Sequence, residues 1–361
     1  MRVLVAPDKF AGTLTAVQAA RAIADGWTRQ APADELDQAP MADGGPGFVD
    51  VLHAALGGEV LAVTVSGPFG EPTPATLLLV GDTAYVETAQ ACGLHLTRRE
   101  RPEESSSRGA GELVLAAVDA GAREVVVGLG GSGTTDGGAG LLAALGATAD
   151  VRLDAGPAAL AGATHVDISA CRDRLGDTVL VAASDVDSQL TGLFGAAKTF
   201  GPQKGLPEER IPEVDGWLEA YAEALDRRTS LLPGAGAAGG MGYALLSLGA
   251  SRRPGFDVVA GATRLAERAR AADLVLTGEG AFDFSSRAGK VPYGVAQVAA
   301  EVLRPCVALA GQVLVGAREM RALGIESAYA VVELVGEERA FADPAGALAE
   351  LAARVARTWS H

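Results

Sequence analysis

Short apolar segments alternate with alanine-rich segments along most of this chain, and this alternation limits the possible folds more than any other feature. Strands are predicted at residues 3–6, 84–87, 124–128, 179–183, 274–277, 306–310 and 328–332. Helices are predicted at residues 16–30, 47–56, 109–120, 138–145, 212–225, 239–248, 258–271, 291–303, 317–323 and 344–358. Strands that are separated by helices form parallel sheets covered on both faces. The pattern therefore predicts an α/β protein.

Two further strand-like segments, residues 59–65 and 75–80, follow each other without an intervening helix. Such a pair indicates a hairpin, and with it a sheet that is not purely parallel. We therefore expect a discontinuous Rossmann-like domain with a parallel sheet, made of residues 1–58, 97–149 and 258–361. The hairpin and the remaining residues, 59–96 and 150–257, would form an inserted second α/β domain with a mixed sheet. A length of 361 residues suits two domains.

Charge and composition exclude several classes of protein. The net charge of −15 would repel a nucleic acid. No apolar segment reaches the roughly 18 residues that a membrane helix needs. The chain opens directly on a strand-like segment, which predicts no signal peptide. The three cysteines (Cys92, Cys171, Cys306) lie far apart and suggest neither disulfides nor a zinc site, so we expect a cytoplasmic protein.

Two glycine-rich loops precede predicted helices. The first covers residues 128–140 and the second residues 233–242. Glycines let the backbone approach an anion closely, and a helix start presents unpaired N–H groups to it. These loops are therefore predicted to bind phosphate or another oxyanion. The candidate binding residues are Gly130, Gly131, Ser132, Asp136, Gly236, Gly239 and Gly240.

Alternative functions stay open at this point. Gly128, Gly130 and Gly133 match the dinucleotide pattern, so an NAD-dependent dehydrogenase of a small hydroxy acid is an alternative. A second chance match in the other loop shows how weak this pattern is. A non-catalytic protein that senses an acid metabolite is a further alternative. Neither loop contains the Walker sequence of common nucleotide-binding proteins.

Lysine is scarce, since only four of the 30 basic residues are lysines. Lys9, Lys204 and Lys290 lie beside glycine- or proline-containing loops. Because an ammonium group is a compact point charge that suits phosphate, these three lysines are candidate site residues.

Acidic side chains follow several of the predicted strands. Asp8 follows residues 3–6, Asp185 and Asp187 follow residues 179–183, and Glu279 and Asp283 follow residues 274–277. Ligands of parallel sheets bind beyond the carboxyl ends of the strands, and carboxylates there suit Mg²⁺. Ser107 and Arg108, at another predicted helix start, could hold a carboxylate or a phosphate.

Taken together, these loops resemble those of the glycerate kinase family. The matching stretches are spread along most of the chain, at residues 6–10, 42–45, 106–112, 130–140, 200–205, 233–242 and 277–290. The resemblance implies two α/β domains with the active site in the cleft between them. It also implies ATP and D-glycerate as substrates, with 2-phosphoglycerate or 3-phosphoglycerate as the product.

Within this hypothesis each candidate residue receives a role. Asp8 and Lys9 would orient or deprotonate the attacking hydroxyl, and Lys204 and Lys290 would neutralise charge on the transferring group. Ser107 and Arg108 would hold the substrate carboxylate. Mg²⁺ would bind some of Asp185, Asp187, Glu279 and Asp283. The expected partners are small molecules only, and we also consider a homodimer.

Overall fold

The computed structural model describes residues 1–283 and 291–360, whose contacts divide the chain into two compact units. The first unit contains Met1–Asp43, Asp50–Leu56 and the described part of Phe256–His361. The second unit contains Gly44–Val49 and Gly57–Gly255.

The described strands alternate with helices for most of the chain. The strands are β1 (Arg2–Val5), β2 (Glu35–Gln38), β3 (Glu59–Ser66), β4 (Pro72–Val80), β5 (Thr83–Glu87), β6 (Glu124–Gly128), β7 (Thr148–Ala149), β8 (Val166–Asp167), β9 (Val179–Ala183), β10 (Ser251–Arg253), β11 (Leu274–Thr277), β12 (Ala281–Phe282), β13 (Cys306–Ala310), β14 (Gln312–Val313) and β15 (Ser327–Ala330).

The helices vary from single turns to four turns. They are α1 (Ala16–Gln30), α2 (Phe48–Leu56), α3 (Ala89–Cys92), α4 (Leu94–Thr97), α5 (Arg108–Asp119), α6 (Ala139–Leu145), α7 (Ser169–Leu175), α8 (Ala196–Phe200), α9 (Ile211–Leu225), α10 (Arg227–Ser230), α11 (Met241–Ser247), α12 (Gly255–Ala262), α13 (Leu265–Ala271), α14 (Val291–Glu301), α15 (Ala317–Ala322), α16 (Val331–Val335), α17 (Glu337–Ala342) and α18 (Pro344–Trp359). Short 3₁₀ helices cover Pro157–Leu160, Pro202–Lys204, Glu208–Arg210 and Ala237–Gly240.

A parallel sheet with strand order β15-β13-β11-β1-β2 forms the centre of the first unit. Its middle strands are apolar and fully buried, as expected for a sheet that is covered on both faces. Helices α1 and α18 pack against each other beside this sheet. Their backbones approach so closely that a Cβ atom at Gly26 would clash with the carbonyl oxygen of Ala349. All strands of this sheet run in the same direction, so their carboxyl ends share one edge.

A mixed sheet with strand order β10-β9-β6-β5-β4-β3 forms the centre of the second unit. Strands β3, β4 and β5 are antiparallel neighbours, whereas β5, β6, β9 and β10 are parallel. The predicted hairpin and the predicted α/β class, with one parallel and one mixed sheet, are therefore confirmed.

The contacts group the chain differently from the boundaries that we expected. Residues 97–149, expected in the Rossmann-like domain, lie in the second unit. The reason is that β6 pairs in parallel with β5 and β9, and an apolar parallel strand carries no sequence mark of the sheet that it joins. The predicted helix 258–271 is divided at Arg264, which has a φ of 54°. The predicted strand 328–332 ends at Ala330, and α16 begins at Val331.

Within residues 1–283 and 291–360, the helices are all too short or too polar to span a bilayer.

Leu303 carries local strain at the end of α14. Its N–H donates to the Ala300 carbonyl and the next N–H donates to Ala299, which is the pattern of a glycine-terminated helix, but here a leucine has a φ of 57°. The side chain is 89% exposed, so it gains little from packing.

We expect Leu303→Gly to raise the free energy of unfolding by roughly 0.5–1 kcal/mol, measured by urea denaturation. Leu303→Ala keeps the Cβ atom and serves as the control. A Leu303→Gly protein less stable than the parent would contradict this interpretation.

Candidate active site

Three acidic side chains and one lysine gather at the carboxyl edge of the parallel sheet. Asp8 follows β1, Asp43 follows β2 and Glu279 follows β11, and these strands are neighbours in the order β2-β1-β11. The Nζ atom of Lys9 lies 3.4 Å from Asp8 Oδ1 and 3.6 Å from Asp43 Oδ1. The sheet therefore brings together Asp8, Lys9 and Glu279 from the predicted set and adds Asp43.

The environment of Asp8 changes its acidity. The residue is 6% exposed, and its backbone N–H donates to the Gly278 carbonyl. Burial raises the pKa of the Asp8 carboxyl from 3.8 to about 7; Lys9 opposes this rise, and the nearby Asp43 and Glu279 add to it. The carboxyl therefore exchanges its proton near neutral pH, as a general acid or base must do.

Lys9 keeps its charge in the same cluster. Burial lowers the pKa of its ammonium group, but attraction by Asp43 and Asp8 is stronger and leaves that pKa above the ordinary value. Lys9 is thus a fixed cation beside a titrating acid.

Asp136 organises the first glycine-rich loop from inside. Its carboxylate is fully buried and accepts hydrogen bonds from Ser107 N and Oγ, both at 2.8 Å, and from Gly138 N and Gly140 N, both at 3.2 Å. Burial raises the pKa of Asp136, and these hydrogen bonds oppose that rise. Ser107 Oγ also accepts from Leu141 N, so the starts of α5 and α6 are joined through this pair. Both residues, predicted to contact substrate, have partners within the chain here, which indicates a positioning role.

Lys204 holds the first glycine-rich loop through two hydrogen bonds. The side chain is buried, and its Nζ atom donates to Ser132 Oγ at 2.9 Å and to the Thr134 carbonyl at 2.7 Å. Burial lowers the pKa of the ammonium to about 8, while Cys92 and Asp136 act in the opposite direction. Lys204 therefore holds the loop in shape, a role that the sequence did not suggest.

The second loop packs with its backbone against the first. Gly137 N donates to the Gly239 carbonyl at 3.0 Å. Gly239 has a φ of 71°, and a Cβ atom there would clash with the Thr134 carbonyl and crowd Lys204 Nζ. Ala238 and Gly240 also have positive φ, at 53° and 97°. The left-handed Gly240 leads into the helical Met241, whose N–H donates to the Ala237 carbonyl within the turn.

Several backbone amides of the predicted loops already have acceptors inside the second unit. Gly130 N donates to the Gly44 carbonyl, Gly133 N to Cys92 and Gly236 N to Ser188. Gly131 has a φ of 71° and lies at a turn beside Leu94, whose N–H donates to its carbonyl. Binding of an anion by these loops stays a prediction, and it concerns the other amides of each loop.

Arg108 lies in a network of charges. Its guanidinium pairs with Glu112 at 3.0 Å and with Asp154 at 3.3 Å. It also lines a polar cavity of about 470 Å³ in the second unit, together with Arg101 and Arg152. Binding of a substrate carboxylate by Arg108 stays a prediction, and that carboxylate would compete with Glu112 and Asp154 for the guanidinium.

The four predicted metal ligands lie in two places. Glu279 is buried and Asp283 is half-buried in the first unit. In the second unit Asp185 is half-buried, and Asp187 is exposed and paired with Arg252 at 2.6 Å. In the described part of the chain, no three His, Cys, Asp or Glu side chains form a metal-binding group. Mg²⁺ usually takes only one or two protein carboxylates with phosphates and water, so its binding stays a prediction.

One predicted site residue is not described by the structure, and one residue of the cluster had no predicted role. Lys290 lies outside the described residues. Asp43 was part of a recognised stretch but received no role, because β2 (sequence Glu-Leu-Asp-Gln) was not predicted as a strand. A search for carboxylates after every possible edge strand could have found it.

Lys204 provides a test of the loop architecture. Replacing it with Met should lower the free energy of unfolding by about 3 kcal/mol, because Ser132 and Thr134 lose their partner and the buried Asp136 loses a nearby cation. Urea denaturation measures this loss. Lys198→Met, at an exposed position close by, should change stability by less than about 0.5 kcal/mol. Equal effects of the two substitutions would show that Lys204 does not hold the loops.

Comparisons with known proteins agree with the resemblance seen in the sequence. A model of the glycerate kinase family matches residues 3–360. A glycerate 2-kinase of Escherichia coli is 40% identical over 349 residues, which cover 93% of this chain and 92% of that protein. A glycerate kinase of Bacillus subtilis is 37% identical over 345 residues, with 92% and 90% covered.

A solved structure gives the same result for the fold. The crystal structure of a candidate glycerate kinase 2 from Salmonella typhimurium LT2 matches with a TM-score of 0.81 and 36% identity, over 99% of this chain and 98% of that chain. The chain therefore belongs to the glycerate kinase family, a family of phosphotransferases.

Proposed function

We propose that this protein transfers the terminal phosphoryl group of ATP to the 2-hydroxyl of D-glycerate, giving ADP and 2-phosphoglycerate. The observation that carries the proposal is the Asp8–Lys9 pair at the edge of the parallel sheet, where a buried carboxyl titrates near pH 7. The choice of the 2-hydroxyl follows the similarity to the glycerate 2-kinase of Escherichia coli.

Asp8 is the proposed base for the attacking hydroxyl. The glycerate hydroxyl transfers its proton to the Asp8 carboxylate while its oxygen attacks the terminal phosphorus, and ADP leaves with the bridging oxygen. Phosphoryl transfer depends on positioning and charge neutralisation more than on covalent help from the protein. Lys9, as a fixed cation 3.4 Å from Asp8, keeps that carboxyl oriented and balances part of the charge.

The second unit would contribute binding through its glycine-rich loops. The left-handed turn at Ala238, Gly239 and Gly240 leads directly into α11, and the positive end of a helix dipole favours an oxyanion. Lys204 and Asp136 hold this surface in shape. We propose that the loops bind phosphate oxygens or the glycerate carboxylate.

Magnesium fits the donor chemistry of the site. Glu279 is a buried carboxylate beside Asp8, and the half-buried Asp283 follows it in the same unit; such hard oxygen ligands suit Mg²⁺. Asp185 and Asp187 are the proposed ligands in the second unit. Bound Mg²⁺ would neutralise phosphate charge.

The dehydrogenase alternative needs a glycine turn that passes directly from a strand into a helix. Here β6 ends at Gly128 and α6 begins at Ala139, and the amides of Gly130 and Gly133 donate to acceptors in the chain. These facts favour the kinase. A ligand-sensing protein without activity would bind D-glycerate and ATP but release no ADP in a coupled assay.

The acidity of Asp8 predicts a pH profile. Because the base must be ionised, kcat/KM should rise with pH through an apparent pKa of about 7. Asp8→Asn should lower kcat by roughly 10²–10⁴-fold and remove this limb of the profile.

Stability provides the control for this variant. The folded-state pKa of Asp8 lies above its unfolded value, so its contribution to stability is present below about pH 4 and is lost as the pH rises through about 7. Asp8→Asn should therefore be at least as stable as the parent at pH 8. A well-folded variant with an unchanged profile would rule out Asp8 as the base.

The position of phosphorylation can be read from the product. In ³¹P NMR of the reaction with D-glycerate and ATP, the product resonance should be split by a single proton, the one on carbon 2, and EDTA should stop turnover until excess Mg²⁺ is added. Splitting by two protons, as on carbon 3, would refute the proposed regiochemistry. Absence of ADP release would refute the kinase itself.

A further inference from the structure

A cavity of about 220 Å³ lies in the first unit, next to the acidic edge of the sheet. Phe10 and Ala11 line it just after Lys9, and Gly280 lines it just after Glu279. Gln312 and residues of α16 and α17 complete the wall. Two residues that line the cavity therefore directly follow Lys9 and Glu279, the cation and the buried acid of the proposed site.

The lining is uncharged. Aromatic, aliphatic, glycine, threonine and glutamine residues make up the described wall, and none of them carries a charge. A triphosphate or a glycerate carboxylate placed here would lack a counter-charge and would lose its hydration. The walls therefore favour an uncharged, largely apolar group.

Size limits the occupant further. Pockets for drug-sized ligands measure about 300–1,000 Å³, so this cavity suits a single ring system rather than a whole nucleotide. Phe341 and Phe10 both line the cavity; Phe341 is 61% exposed and Phe10 is buried. Aromatic side chains of this kind stack on the faces of nucleobases.

One side chain offers the polar contacts that a purine needs. Gln312 is half-buried in the wall. Its backbone N–H donates to the Gly280 carbonyl, which holds the Gln312 backbone in place. A glutamine amide carries both a donor and an acceptor and can pair with the N6 and N7 atoms of adenine. Guanine presents two acceptors on the same edge, which one amide does not match.

We propose that this cavity binds the adenine base of the phosphoryl donor, with Phe341 stacking on the ring and Gln312 selecting adenine over guanine. The proposal rests on the proposed function, since it names the donor that the kinase uses. With the base in the cavity, the phosphates would extend towards Lys9 and Glu279, which directly precede the lining residues Phe10 and Gly280 in the chain.

Equilibrium binding tests the cavity without reference to activity. Isothermal titration calorimetry with ADP should give a Kd at least roughly five-fold weaker for Phe341→Ala than for the parent protein. Val332→Trp, which fills the cavity, should weaken ADP at least ten-fold. Inorganic tripolyphosphate, which lacks a base, should bind all three proteins equally. Leu314→Ala is the matched control, because Leu314 is exposed and lies outside the wall.

Base selection and location have their own measurements. Gln312→Ala should reduce the preference for ADP over GDP by roughly ten-fold. Photolabelling with 8-azido-ADP should modify the tryptic peptides 322–339 or 340–354, and excess ADP should prevent it. Labelling confined to residues 57–255, or an ADP affinity that Phe341→Ala and Val332→Trp leave unchanged, overturns the proposal.

The two hypotheses fail in different ways. If the parent protein phosphorylates glycerate with ATP while both cavity variants bind ADP normally, the adenine site is wrong and the kinase stands. If ADP binding depends on the cavity but glycerate elicits no ADP release from ATP, the kinase is wrong and the adenine site stands.

Discussion

The arrangement of the second unit depends on one buried ammonium group. Lys204 donates to Ser132 and to Thr134, and Gly239 approaches so closely that only a glycine fits beside them. A buried cation is tolerated because it has oxygen acceptors and because the carboxylate of Asp136 lies near enough to stabilise its charge. Since Asp136 in turn holds the starts of α5 and α6, the glycine-rich loops, the helix ends and the charges form one connected structure.

In the first unit, too, a lysine lies among carboxylates, but its side chain is more exposed to solvent. Asp8 and Asp43 are brought together by neighbouring parallel strands, and Lys9 lies between them. Here the cation does not fully offset the burial of Asp8, so this carboxyl titrates near neutrality. The difference has a functional meaning: Asp136 has four hydrogen-bond donors from the chain and serves as a support, whereas Asp8 keeps the capacity to exchange a proton. The uncharged cavity beside Asp8 adds a surface suited to a nucleobase.

Much of the framework was predictable from local pattern. The hairpin of β3 and β4 could be predicted because two strand-like segments border a glycine- and proline-containing turn with no room for a helix. The strands that precede Asp8 and Glu279 are continuous apolar segments, which mark buried parallel strands. Strand β2 was not predicted because it lies at the sheet edge and its sequence is mostly polar. Asp43, which follows it, therefore received no role. Residues 97–149 were grouped differently because pairing between β6 and its neighbours is a long-range choice.

The sequence by itself determined which residues could do chemistry: the scarce lysines, the acids that follow strands, and the glycines that open helices. These features are local, so they are visible without a fold. Only the tertiary structure decided what each residue does, because pKa values and partners depend on burial and on groups distant in sequence. Lys204 lies 72 residues from Ser132, its hydrogen-bond partner. Asp8 owes its raised pKa to burial and to Asp43 and Glu279, which follow neighbouring strands. Spacing along the chain carries no record of such contacts, which arise when packing removes water from between the groups.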